Sequence, residues 1–108
     1  MRLRRNKYGV ALKADRTVDG IVFASKKEAT RFGELKVLER VGEITNLQLQ
    51  PEFACVVNGK KVCKYTADFR YTTPSGEVIE DVKGVKTTVY RLKKKLVEAL
   101  FGIEITET

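Results

Sequence analysis

The chain has 108 residues and not one histidine. That absence excludes Ser–His and Cys–His nucleophile pairs, imidazole acid–base work and histidine-ligated zinc or iron. With only two cysteines, a four-thiolate zinc site cannot be built either. No glycine-rich phosphate loop with P-loop or dinucleotide spacing occurs. Apolar runs are too short for a membrane span, and the basic N-terminus lacks the apolar segment of a signal peptide. A cytoplasmic location without a membrane partner is therefore expected. Any hydrolytic chemistry must rest on carboxylates, lysine and a hard metal ion.

What is abundant is positive charge: 21 Lys and Arg stand against 14 Asp and Glu, a net +7. So basic a balance on so short a chain points to a polyanionic partner, most often nucleic acid. Residues 1–17 carry Arg2, Arg4, Arg5, Lys7, Lys13 and Arg16 against Asp15 alone. They read as a flexible basic arm, either lying along phosphates or simply solvated. Residues 18–108 have the length of a single domain, and Asp19-Gly20 suits a short hairpin near its start.

Cys55 and Cys63 flank Asn58-Gly59, a strong hairpin signal. A two-residue turn there sets Cys55 opposite Val62 and Cys63 opposite Ala54, with the thiols on opposite faces. A disulfide is then excluded, whereas a three-residue loop would bring the thiols opposite each other. Buried free thiols are expected.

The organising stretch runs from Tyr65 to Gly84. Tyr65, Ala67, Phe69 and Tyr71 alternate with Thr66, Asp68 and Arg70, the period of a strand with one face in a core. Thr73-Pro74-Ser75-Gly76 supplies a turn. A two-residue turn sets Thr72 opposite Glu77, Asp68 opposite Asp81 and Thr66 opposite Lys83. Asp68, Asp81 and Lys83 then share one face. Carboxylates directly across a strand pair repel, and a divalent cation between them reverses that sign, as Mg²⁺ binds through one or two carboxylates. Strand alternation sends Glu80 to the other face, so Asp81 is the expected ligand unless a bulge intervenes. A surface charge cluster with Lys83 paired to an acid is the plain alternative.

Ser25 can cap a helix running to about Val41, and Glu28 completes a capping-box pattern. The helical wheel also puts Glu28 on the apolar side, between Phe32 and Leu35, so it reads equally as a cap or as a third site carboxylate. Residues 44–57 read as extended chain broken at Pro51. A second helix is expected from Thr87 to Phe101, with Val89, Leu92, Leu96, Ala99 and Leu100 as its apolar stripe. Gly102 ends it, before a last strand from Ile103 to Thr106. Lys83, Lys86, Arg91, Lys94 and Lys95 form a basic ridge, and Lys26 and Lys27 add charge to the first helix.

Three segments, Ser25-Lys26-Lys27-Glu28-Ala29, Tyr65-Thr66-Ala67-Asp68-Phe69 and Glu80-Asp81-Val82-Lys83-Gly84, resemble the PD-(D/E)XK nuclease superfamily. Within it, the closer likeness is to a small phage- and prophage-encoded endonuclease group related to Holliday-junction resolvases. The resemblance covers residues 25–106. It implies an α/β, restriction-endonuclease-like core, a mixed sheet in αβββαβ order flanked by two helices. It implies Mg²⁺, with Mn²⁺ as a substitute, held by Asp68, Asp81 and the Val82 carbonyl, and Lys83 at the attacking water. Glu28 matches the helix acid of the resolvases and is a further candidate catalytic residue and ligand. Ala67 stands where proline is usual, and Asp81 where glutamate is. The implied activity is hydrolysis of DNA phosphodiesters, on branched junction DNA by a homodimer. Arg2, Arg4, Arg5, Lys26, Lys27, Lys86, Arg91, Lys94 and Lys95 would hold DNA. A nicking or duplex-cutting phage nuclease and a non-catalytic DNA-binding module on the same fold are the alternatives.

Overall fold

The computed structural model describes residues 12–108. The protein is α/β, with a mixed sheet and two α-helices, and divides into two units, Met1–Glu43 and Ile44–Thr108. Arg2, Arg4 and Arg5 lie outside the described residues.

In the first unit a 3-10 turn, Lys13–Arg16, leads into β1 (Thr17–Val18) and β2 (Ile21–Val22). Asp19 and Gly20 both have positive φ, 52° and 77°, as a two-residue hairpin turn requires. The Arg16 guanidinium donates to the Phe23 carbonyl at 2.7 Å, so regular structure begins inside the stretch read as an arm. Helix α1 (Lys26–Arg40) starts where Ser25 Oγ accepts the Glu28 N–H at 3.1 Å. It ends in a Schellman closure. Gly42 N–H donates to the Glu39 carbonyl, and Glu43 N–H to that of Leu38, with Gly42 at φ 83°. Its buried face carries Glu28, Ala29, Phe32 and Leu35, and the Phe32 ring lies 4.9 Å from that of Phe23.

The second unit holds β3 (Thr45–Leu49), β4 (Glu52–Val57), β5 (Lys60–Thr66), β6 (Phe69–Thr73), β7 (Gly76–Asp81), α2 (Thr88–Phe101) and β8 (Ile105–Glu107). The sheet order is β3-β6-β7-β8, with β7 and β8 parallel and the other pairs antiparallel. The strand expected as one piece from Tyr65 to Tyr71 is broken at Ala67-Asp68. The break is a bend in a longer ribbon. Glu52 pairs with Thr66 and Leu49 with Phe69 in one continuous register. Across the gap Gln50 N–H donates to the Asp68 carbonyl and Ala67 N–H to that of Pro51, each at 3.0 Å. Gln50 at φ 50° and Pro51, with no N–H to give, force the corner. Counted as bent strands, β3–β4 and β5–β6 restore the expected meander and the αβββαβ order. Tyr65, Ala67, Phe69 and Tyr71 stay buried through the bend.

Two expectations are corrected. The Asn58-Gly59 turn has two residues, yet Cys55 pairs with Cys63, because the register shifts between Cys55 and Val56. That bulge absorbs Val62 and brings the thiols to directly opposed positions. Both are free, Cys55 buried and Cys63 half-buried. Helix α2 also turns a different face inward. Val97 is buried, with Tyr90 and Leu96 partly so against Phe53, Cys55, Tyr65, Ala67, Ile79 and Ile105. Val89 and Leu92 of the expected stripe are 63% and 68% exposed. The apolar arc of α2 is wider than one packed face, and the aromatic side chains of the ribbon select its Val97 side. Among the described residues no helix is long and apolar enough to cross a membrane.

Phe69 is fully buried, so Phe69→Ala should cost about 3–5 kcal/mol in urea unfolding, while Leu92→Ala should stay within about 0.5 kcal/mol. Burial and the neighbouring Cys63 push the Cys55 thiol up. A thiol reagent should therefore label Cys63 well before Cys55 in the native protein, and equal rates would contradict the packing.

Candidate metal centre

Asp68 sits at the corner of the β5–β6 ribbon, and Asp81 is the last residue of β7. The β6–β7 register, Phe69 with Glu80 through Thr73 with Gly76, contains no bulge. Its continuation brings the two aspartates together, and they share two main-chain bonds. Asp68 N–H donates to Asp81 Oδ1 at 3.1 Å, and Val82 N–H donates to Asp68 Oδ2 at 2.7 Å. Each carboxylate thus accepts an amide from the other's strand, which partly offsets the repulsion between them. Lys83 Nζ lies 3.9 Å from Asp81 Oδ1. The other Asp81 oxygen is different: Oδ2 is buried with no hydrogen-bond partner.

Glu80 takes the opposite face, where it accepts from the Tyr71 hydroxyl at 2.6 Å and the Thr108 hydroxyl at 3.1 Å. Glu28 belongs to the first unit, buried in the opening turn of α1. Among the described residues no group of three or more Asp, Glu, Cys or His gathers around one point, so the side-chain donors here are limited to two carboxylates. Such a set would suit a hard, octahedral cation which keeps several waters, and the buried Asp81 Oδ2 without a hydrogen-bond partner is an observation compatible with one.

Sequence reading missed Glu107 and Tyr90. Glu107 stands opposite Asp81 on β8, so Asp68, Asp81 and Glu107 form a row across three strands. Glu107 accepts from the Tyr90 hydroxyl at 2.7 Å and faces Lys86 at 3.1 Å and Lys94 at 3.4 Å. Extending the last strand by one residue in parallel register would have revealed it. Lys86 and Lys94 are thereby tied to Glu107, and with Arg91, Lys95 and Glu98 they line a cavity of about 380 Å³. Lys26 and Lys27 are exposed in the first turn of α1.

The row is electrostatically split. Burial holds both Asp68 and Asp81 above the ordinary carboxylate value. Lys83 and one amide each oppose the rise, and Glu80 (for Asp68) and Glu107 (for Asp81) add to it. Glu107 is pulled down to about 2, first by the Tyr90 hydroxyl and then by Lys86.

The chain belongs to a family described as proteins of unknown function (DUF1064), which matches residues 5–106. No curated protein and no solved structure matches it.

A carboxyl whose folded pKa lies above its unfolded value of 3.8 keeps its proton in the native state after the unfolded chain has released it. Its contribution to stability is complete below 3.8 and is lost as pH rises through the folded value. Metal-free Asp81→Asn should therefore melt above wild type at pH 7, with the gap closing as pH falls toward 3.8. Glu107 has the opposite sign: its contribution is present above 4.5 and is lost as pH falls toward about 2. Thermal melts of wild type, Asp81→Asn and Glu107→Gln across pH would check both signs. An Asp81→Asn variant less stable than wild type at pH 7 would contradict the charge strain assigned to the pair.

Proposed function

We propose that this protein is a metal-dependent endodeoxyribonuclease on a restriction-endonuclease-like core, acting on branched DNA as a homodimer. The observation that carries the reading is the Asp68–Asp81 pair. Two strands bring the carboxylates together, an ammonium stands beside them, and one buried oxygen has no partner. Asp68, Asp81 and the Val82 carbonyl would hold Mg²⁺, or Mn²⁺ in its place. When bound, the ion supplies Lewis-acid stabilisation of phosphate charge and a more acidic water.

The remaining work falls to side chains of the chain itself. Lys83 orients the attacking water and offsets negative charge as the phosphorus centre becomes five-coordinate. Lys86, Arg91, Lys94 and Lys95 grip flanking phosphates, and Lys26, Lys27, Arg2, Arg4 and Arg5 extend that grip. Small size, the helix acid Glu28 and the basic N-terminus support a junction substrate. Two-fold symmetry would then cut opposed strands of one junction.

Four-way junction, flap, duplex and single-stranded DNA, each incubated with Mg²⁺ or Mn²⁺, test this directly, with solution mass measured alongside. The junction should be cut best, by a species of dimer mass. Asp68→Asn, Asp81→Asn and Lys83→Ala should each lower cleavage by at least about 100-fold while DNA binding persists. Preferred cutting of plain or supercoiled duplex would make this a nicking or duplex nuclease. No cutting of any form would favour a DNA-binding module without chemistry. Deleting residues 1–15 should weaken binding and flatten its salt dependence by about 0.9 log units per lost phosphate contact.

A further inference from the structure

The geometry points to Tyr90 as a positioning residue that holds the Lys83 ammonium against the Asp68–Asp81 pair, with Glu107 fixing Tyr90 in turn. The inference deepens the nuclease reading and rests on it for the reaction that Lys83 serves.

A lysine ammonium is a strongly hydrated point charge on a flexible four-carbon stem. Placing it beside a carboxylate pair requires something to limit where it can go. Lys83 Nζ lies over the Tyr90 ring, 4.7 Å from its centroid, and 3.9 Å from Asp81 Oδ1. An aromatic face and a carboxylate thus bracket the charge from two directions.

Tyr90 is itself held at each end. Its main chain is set by the cap of α2, where Thr87 Oγ1 accepts the Tyr90 N–H at 3.1 Å. Its hydroxyl donates to Glu107 Oε2 at 2.7 Å. Its ring leans on a ladder of aromatics: Tyr65 at 6.4 Å, then Phe53 at 6.3 Å, then Phe101 at 5.3 Å, all within the range of favourable ring pairs. Glu107 closes the loop, because it stands opposite Asp81 on the neighbouring strand. Ring, acid and lysine are therefore linked across α2, β8 and the end of β7. Phenylalanine would supply the ring without the anchor to β8, and leucine would supply neither.

The test separates the ring from the hydroxyl and reads position apart from activity. In proton NMR the ε-methylene protons of Lys83, assigned by their loss in Lys83→Arg, should be shifted upfield by the ring current. The shift should persist, reduced, in Tyr90→Phe and vanish in Tyr90→Leu. In junction cleavage, Tyr90→Leu should lower kcat by about 10- to 30-fold with KM unchanged, and Tyr90→Phe should recover most of that loss. A fall confined to KM, or a Tyr90→Leu variant that cuts as well as wild type, overturns the inference. So does wild-type Lys83 without an upfield shift, whatever the cleavage result. A wild type that shows the shift and cuts nothing removes the nuclease reading while leaving the placement of Lys83 by Tyr90 standing.

Discussion

Two carboxylates side by side, Asp81 fully buried and Asp68 half-buried, are the constraint that the rest of the second unit accommodates. Removing a carboxylate from water is costly, and removing two into mutual contact is more so. The chain meets part of that cost with main-chain amides. Asp68 and Asp81 each receive an N–H from the opposite strand, so the hydrogen bonds that hold the strands together also steady the charges. Lys83 contributes a further opposing charge. What is left over is the buried Asp81 oxygen without a donor. Packing gives no reason for it, since an asparagine or an apolar residue would serve a core better.

The surrounding architecture explains how so awkward an arrangement is built. The corner at Gln50-Pro51 and Ala67-Asp68 turns the long ribbon just where Asp68 must leave the ladder to meet Asp81. The last strand enters beside β7 in parallel, so Thr108 N–H holds the Asp81 carbonyl at 2.9 Å and the Thr108 carbonyl accepts the Lys83 N–H at 3.3 Å. Asp81-Val82-Lys83 is thereby anchored on both sides although the strand itself ends at Asp81. Helix α2 then supplies Tyr90 and Lys94 from above. Most of the elements that set the pair are distant in sequence.

That separation decides what could be read from residues alone. The Thr73–Gly76 turn and the two-residue period are local, so the register that faces Asp68 toward Asp81 followed by counting. The helix caps at Ser25 and Thr87 and the stop at Gly102 are local too. The cysteines resisted because one bulged residue, Val62, reverses which side chain faces which, and a bulge leaves no composition signature. The face of α2 resisted because its apolar arc offers more than one face, and only the aromatic side chains of the ribbon choose among them. Glu107 was missed because the last strand was ended one residue early and its pairing with Asp81 follows a crossover, so the partner shows only once the strand is extended and set parallel to β7.

The row Asp68, Asp81, Glu107 divides like charges between one acid neutralised within the fold and two that are not. Glu107 is neutralised within the fold, by a tyrosine hydroxyl and two lysines, and ionises easily as a result. Its two neighbours are held above the ordinary range despite Lys83. A protein with a net charge of +7 has lysines enough to neutralise all three, yet Arg91 and Lys95 stay on the rim with their side chains toward solvent. The groove they border reaches Glu107, the neighbour of Asp81 on β8, so their positive charge raises the local potential on that side of an under-neutralised acidic pair.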